Sequence, residues 1–148
     1  MMTFGNALDD CRRHLRYLRA AAGRISWPLT ADRMTAPDDE LVAALDQFAF
    51  RFSRLQDTLG QKAFRYVLVG ALREPYEDSP MRDVLDRLER LRLLPSADRW
   101  EEIRAARNIL AHDSPDTPAQ RAARLNLARP MVDEMASILV ALEAAVGR

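Results

Sequence analysis

Between Leu41 and Leu59 the apolar residues Leu41, Leu45, Phe48, Phe52, Leu55 and Leu59 follow one another at steps of four, three, four, three and four. That spacing returns every side chain to one stripe of an α-helix, and it is incompatible with the two-residue period of a strand. The stretch therefore predicts a long helix whose stripe is a bundle seam. Gly60 interrupts the pattern, but Phe64, Val67, Leu68, Ala71 and Leu72 resume it, so the glycine marks a kink or local rotation rather than a stop.

The rest of the chain is read against this helix. Leu8, Cys11, Leu15, Leu18, Ala22 and Ile25 form a stripe of an earlier helix, and the stretch from Trp27 to Pro37 reads as an ordered connection with Thr30 and Asp38 as loop and capping residues. Ser79 followed by Pro80 reads as an N-cap with proline at the first helical position, opening a third helix through Met81, Val84, Leu85, Leu88 and Leu91. Pro95-Ser96 opens a fourth through Trp100, Ile103, Ala106 and Leu110 that ends near Ser114-Pro115. Thr117-Pro118 opens a fifth, with Pro130 expected to kink or divide it. No run reads as a strand. The fold expected is all-α, an antiparallel up-and-down bundle of about five helices, and 148 residues suffice for one domain spanning residues 1–148.

Charge and cysteine usage narrow the function. With 22 basic and 22 acidic residues the formal charge is zero, so any nucleic-acid contact has to be local rather than a global electrostatic grip. The single Cys11 has no disulfide partner, and no cysteine and histidine spacing suits zinc, so neither a metal nor another cofactor is expected. No run approaches the apolar length of a membrane span, and the chain reads as a cytoplasmic protein with no membrane partner.

One polar motif resists a purely structural account. On a helical wheel of the fourth helix, Arg104, Asn108 and His112 align on a polar ridge, whereas Arg107 falls inside the apolar arc. An arginine there has to snorkel, find a carboxylate such as Asp57, or point into a cleft. The plain alternative is an Arg107 ion pair together with His112 capping the helix C-terminus.

The segment RNILAH, with Arg107, Asn108 and His112, resembles the R-N-x-x-x-H signature of HEPN domains, in particular the HepT-like prokaryotic ribonucleases. The likeness extends to LDQFAFRFSRLQDTLG at residues 45–60 and to the W-x-x-I-R-x-x-R-N lead-in from Trp100, covering most of residues 38–145. It implies a HEPN-like bundle that forms a homodimer with two motifs facing one cleft, and an endoribonuclease that cleaves RNA without a metal as the toxin of a toxin-antitoxin pair. A nucleotidyltransferase-type antitoxin is the implied partner. Members paired that way carry a tyrosine two residues after the histidine that accepts silencing AMP groups. Ser114 occupies that position here, so the resemblance does not extend to this mode of silencing.

The chemistry agrees with the implied activity. Metal-free RNA cleavage needs a group that moves protons near neutral pH and a cation that stabilises charge on the phosphorane. His112 is assigned the first role, Arg107 the phosphate clamp and Asn108 its orientation, giving a 2′,3′-cyclic phosphate, with a second protomer supplying the second histidine. Arg104, Ser114, Arg51 and Asp57 are the candidate substrate contacts. Arg51 and Asp57 are read either as a structural pair or as support for Arg107. His14 is read as a solvated surface residue beside Arg12, Arg13 and Arg16. That arginine group, with Arg19, and the group Arg121, Arg124 and Arg129 read as solvated faces or as a rim that guides RNA. The competing function is a non-catalytic HEPN antitoxin or a nucleotide- or substrate-binding partner subunit of a nucleotidyltransferase.

Overall fold

The computed structural model of the chain describes residues 5–112 and 116–147. These residues form an all-α bundle of six α-helices, α1 (Gly5–Gly23), α2 (Ala31–Thr35), α3 (Asp39–Thr58), α4 (Met81–Arg90), α5 (Ala97–Ala111) and α6 (Pro118–Ala145), with no strand among them. The sixth helix relative to expectation is α2, a five-residue turn inside the stretch read as a connection. It is too short to display a hydrophobic period, and only Met34 on it is buried.

The helix starts follow from side-chain chemistry. Asp38 accepts from the Leu41 amide at 2.8 Å, and Ser96 accepts from that of Arg99 at 3.0 Å. Thr117 and Gln120 exchange side-chain and backbone bonds in a reciprocal box with Pro118 behind the cap. Pro80 departs from expectation: it stands at the N-cap of α4, with no side-chain cap bond, and Met81 is the first helical residue. Pro130 does not divide the last helix, because α6 runs for 28 residues through it. The proline withdraws one amide from the ladder at Asn126, but its ring lies on the exposed side of the helix. Asn126 in turn anchors the chain before α2, accepting from the Leu29 amide at 2.8 Å and donating to its carbonyl at 2.9 Å.

α3 is the centre of the bundle, packed on α1 along one side and α5 along another, while α6 closes against α1, α2 and α5. Its seam is the predicted one: Phe48, Phe52, Leu55 and Leu59 are fully buried, while Phe50, between two of them, is 56% exposed. Beyond Thr58 the helix continues through π-helical stretches at Leu59–Ala63 and Tyr66–Ala71. Each wide turn shifts the apolar stripe around the axis, the local rotation expected at Gly60. The glycine also admits a neighbour, since a Cβ there would lie 3.3 Å from Cζ2 of Trp100 on α5. Trp100 in turn meets Phe64 edge-on, with ring centroids 4.7 Å apart. The buried wall of the site is thus built where α5 crosses the π turn.

Two further features bear on stability. Cys11 is buried on α1, and burial, followed by the charges of Asp10 and Glu143, pushes its thiol up to about 12, which leaves it unreactive. Arg99 grips Glu134 on α6 through two bonds of 2.7 Å and Glu102 through one of 2.6 Å. This fork ties α5 to α6. Glu134→Ala is expected to cost about 1 kcal/mol in urea unfolding, the pair being a third exposed. Asp133→Ala next to it, whose ion pairs are 3.6 and 3.9 Å long, should stay within about 0.5 kcal/mol.

A candidate site in the groove between α3 and α5

Arg107 projects from α5 toward α3 and finds the carboxylate that an arginine in an apolar arc requires. Its Nη2 donates to Oδ2 of Asp57 at 2.8 Å, and both side chains keep 25% of their surface exposed. Nη1 donates to Oδ1 of Asn108 at 3.4 Å. Nε is buried without a partner among the described residues, as is the hydroxyl of Ser53. The ion pair therefore fixes the guanidinium without using all of its donors.

Three depressions follow one another along the α3–α5 groove. The first, about 320 Å³, holds Gln56, Asp57, Trp100, Arg104, Arg107 and Asn108. The second, about 340 Å³, shares Asp57 and Arg107 with the first and adds Ser53 and Arg54. The third, about 310 Å³, joins the second at Ala49 and Leu110 and holds His112 with Asp46, Arg121 and the ion pair of Arg124 with Asp116. Arg107 and Asn108 thus share one depression, and His112 lines another. The expected ridge of Arg104, Asn108 and His112 does not form, because α5 ends at Ala111, earlier than expected. His112 is the C-cap, with φ −115° and ψ 139°, and extended backbone turns it off the helix face.

The candidate substrate contacts separate in the same way. Arg104 is exposed on the rim of the first depression, 3.8 Å from Glu101. Asp57 lies within the groove as the partner of Arg107. Ser114 lies outside the described residues. Arg51 is a correction: it stands six residues before Asp57, about 120° away around the helix, and faces α1 rather than the groove. Its guanidinium lies over the rings of Tyr17 at 4.6 Å and Phe50 at 5.3 Å, and its Nη1 is 2.9 Å from Nδ1 of His14.

His14 is a second correction, being 4% exposed in the α1–α3 interface rather than solvated. Three residues after Cys11 and four before Leu18, it belongs to the buried stripe of α1. Arginine only donates, so Nδ1 accepts and the ring is neutral with its proton on Nε2. Burial first, and then the charges of Arg51, Arg54 and Arg13 against that of Asp10, lower its pKa below the ordinary 6.5. The unfolded chain thus binds the proton first. Stability from this group is complete above about 6.5 and falls as pH drops below it, by at most about 1.4 kcal/mol per pH unit. Urea unfolding at about pH 7 and about pH 5.5 should show a steeper loss for the wild type than for His14→Gln, whose amide oxygen can still accept from Arg51.

Among the arginine groups, Arg12 pairs with Glu143 at 2.6 Å, Arg13 with Asp10 at 3.3 Å and Arg19 with Asp133 at 3.6 Å, so these are solvated, compensated charges. Arg121 differs. It is exposed, has no ion-pair partner among the described residues, and lines the depression of His112. The groove also contains Arg54, Gln56 and Gln61, to which no sequence motif points. The four-three period of α3 left Gln56 one step from Leu55, the only available signal for it.

Among the described residues no three histidine, cysteine or acidic side chains cluster as a metal site, and no helix is long and apolar enough to cross a membrane. Compared with known protein families, characterised proteins and solved structures, the chain matches none of them.

Proposed function

We propose that the protein is a metal-independent endoribonuclease of the HEPN type, the toxin of a toxin-antitoxin pair, which works as a homodimer. The observation that carries this reading is the state of Arg107. It is anchored by Asp57, lines a surface groove with Asn108 and Arg104, and its Nη1 and Nη2, each with two hydrogens, make one hydrogen bond each, to Asn108 and Asp57, among the described residues. A preorganised cation of this kind suits a phosphate whose charge grows during reaction, because no reorganisation is needed when that charge appears. His112 is exposed in the same groove, beside Arg121, which has no ion-pair partner among the described residues, and an RNA strand lying along α5 would pass from one to the other. The imidazole takes the ribose 2′-hydroxyl proton, the 2′-oxygen attacks phosphorus, and the 5′-oxygen leaves with a proton from a second acid. A second protomer supplies that acid.

An apolar strip supports the dimer. Ile109 and Leu127, the latter 69% exposed, line it together with Ala105 and Met131, and it adjoins the depression of His112 through Ile109, Leu110 and Arg124. A second copy seated there brings its own His112 toward the groove. The second reading, a nucleotide-binding subunit partnered with a nucleotidyltransferase, is favoured by one observation: within one chain His112 lies in a different depression from Arg107. The two readings part in a cleavage assay on a mixed RNA pool in EDTA. Cleavage leaving 2′,3′-cyclic phosphate ends supports the nuclease. Intact RNA at high protein concentration, with copurifying partners removed, supports the binding subunit.

A further inference from the structure

The first depression carries a group that Arg107, Asn108 and His112 do not explain. Gln56 is only 5% exposed, yet its side-chain amide has no hydrogen-bond partner among the described residues, and it forms part of the cleft wall. The amide atoms border the cleft, so a ligand there can supply the donor and acceptor that the protein does not. Around it the cleft combines further amides with a partly apolar wall. Gln61 stands exposed on the π turn, five residues on along the same wall, and Trp100, Met81 and Gly60 form the apolar lining. The π-helical stretch at Leu59–Ala63 places Gln61 beside the cleft that Gln56 lines, and Gly60 keeps the space between Gln56 and the indole clear. A Cβ at that position would stand 3.8 Å from the amide nitrogen of Gln56 and 3.3 Å from Trp100.

We propose that the Gln56–Gln61 cleft is a nucleobase-reading subsite that takes the edge of a purine belonging to a nucleotide held by Arg104 and Arg107. An amide presents a donor and an acceptor side by side, which matches the paired acceptor and donor on a purine edge and discriminates between bases. A wall of Trp100 and Met81 excludes water from the face of the ring, and the cleft, about 320 Å³, has the size of a small-molecule pocket. The two arginines on its rim select a nucleotide over a peptide, since a peptide amide would match the glutamines but leave both guanidinium groups without a phosphate. The proposal deepens the ribonuclease reading by giving that groove a base preference. It does not depend on cleavage, because a binding subunit would use the same subsite.

The test is side-chain amide NMR on the full-length, ¹⁵N-labelled protein, titrated with each of the four ribonucleoside 5′-monophosphates and with ribose 5-phosphate as the phosphate-bearing control. None of these has an internucleotide bond to cleave, so an inactive protein gives a valid answer. The purine nucleotides are expected to move the NH₂ signals of Gln56 and Gln61, the pyrimidine nucleotides to do so at about tenfold higher concentration, and ribose 5-phosphate to leave them in place. Gln61→Ala, at an exposed position that spares the fold, is expected to weaken purine binding about tenfold and to erase the preference over pyrimidines. Equal movement with ribose 5-phosphate would reduce the site to phosphate binding, and unmoved signals at millimolar nucleotide would overturn it. Base binding in a protein that leaves RNA intact would keep the subsite and remove the nuclease.

Discussion

Replacing His112 by alanine is expected to lower cyclic-phosphate-forming cleavage of RNA by about 10²–10⁴-fold while leaving thermal unfolding unchanged. The two halves of this expectation have separate grounds. His112 is exposed at the C-cap of α5, and surface replacements of that kind shift stability by no more than about 0.5 kcal/mol. The activity loss follows from its role as the group that moves protons in a groove otherwise lined by permanent charges and amides. Single-turnover cleavage in EDTA together with a melting curve measures both. A variant that cleaves at the wild-type rate would transfer proton transfer to another group, and a variant that melts early would make the histidine structural. If the catalytic centre combines Arg107 of one protomer with His112 of the other, mixing His112→Ala with Arg107→Ala protein should restore part of the activity that each lacks alone.

The parts of the fold that could be read from the sequence were those governed by one dominant local force. The seam of α3 and the caps at Thr30, Asp38, Ser96 and Thr117 are set by periodicity and by orphan amides, and both leave marks within a few residues. Pro80 and Pro130 had local signals too, but a proline tolerates more than one backbone role, and neighbouring structure chose between them. At His14 two local signals conflict, polarity that points to solvent and a position on the α1 stripe that points to the core, and the position prevails. What makes its burial tolerable is Arg51, 37 residues away, and no local pattern reports that partner. The Arg107–Asp57 pair spans 50 residues, but it was anticipated because a charge inside an apolar arc demands a counter-charge. The relation of His112 to Arg107 was not legible, since it depends on where α5 unwinds. A helical wheel assumes that the helix continues.

Asp57 makes it possible to separate the two roles of Arg107. Arg107→Ala leaves a carboxylate three-quarters buried without its partner, and the loss of stability is expected to be about 1–2 kcal/mol, below that of a fully buried pair because both groups retain solvent contact. Asp57→Ala leaves the guanidinium unanchored, with a similar cost. The double variant removes both charges, so it should recover part of the loss, a coupling of about 1 kcal/mol between groups 2.8 Å apart. Activity is expected to follow another pattern. Arg107→Ala should cut cleavage by about 10²–10³-fold through the lost phosphate clamp, and the double variant should remain as inactive despite its recovered stability. Asp57→Ala should reduce cleavage less than Arg107→Ala, because the cation persists but is no longer held in place. Urea unfolding and single-turnover cleavage of the four proteins make the comparison. Activity that returns with stability in the double variant would mean that Arg107 serves the fold alone, whereas recovered stability with lost cleavage identifies it as the group that meets the phosphate.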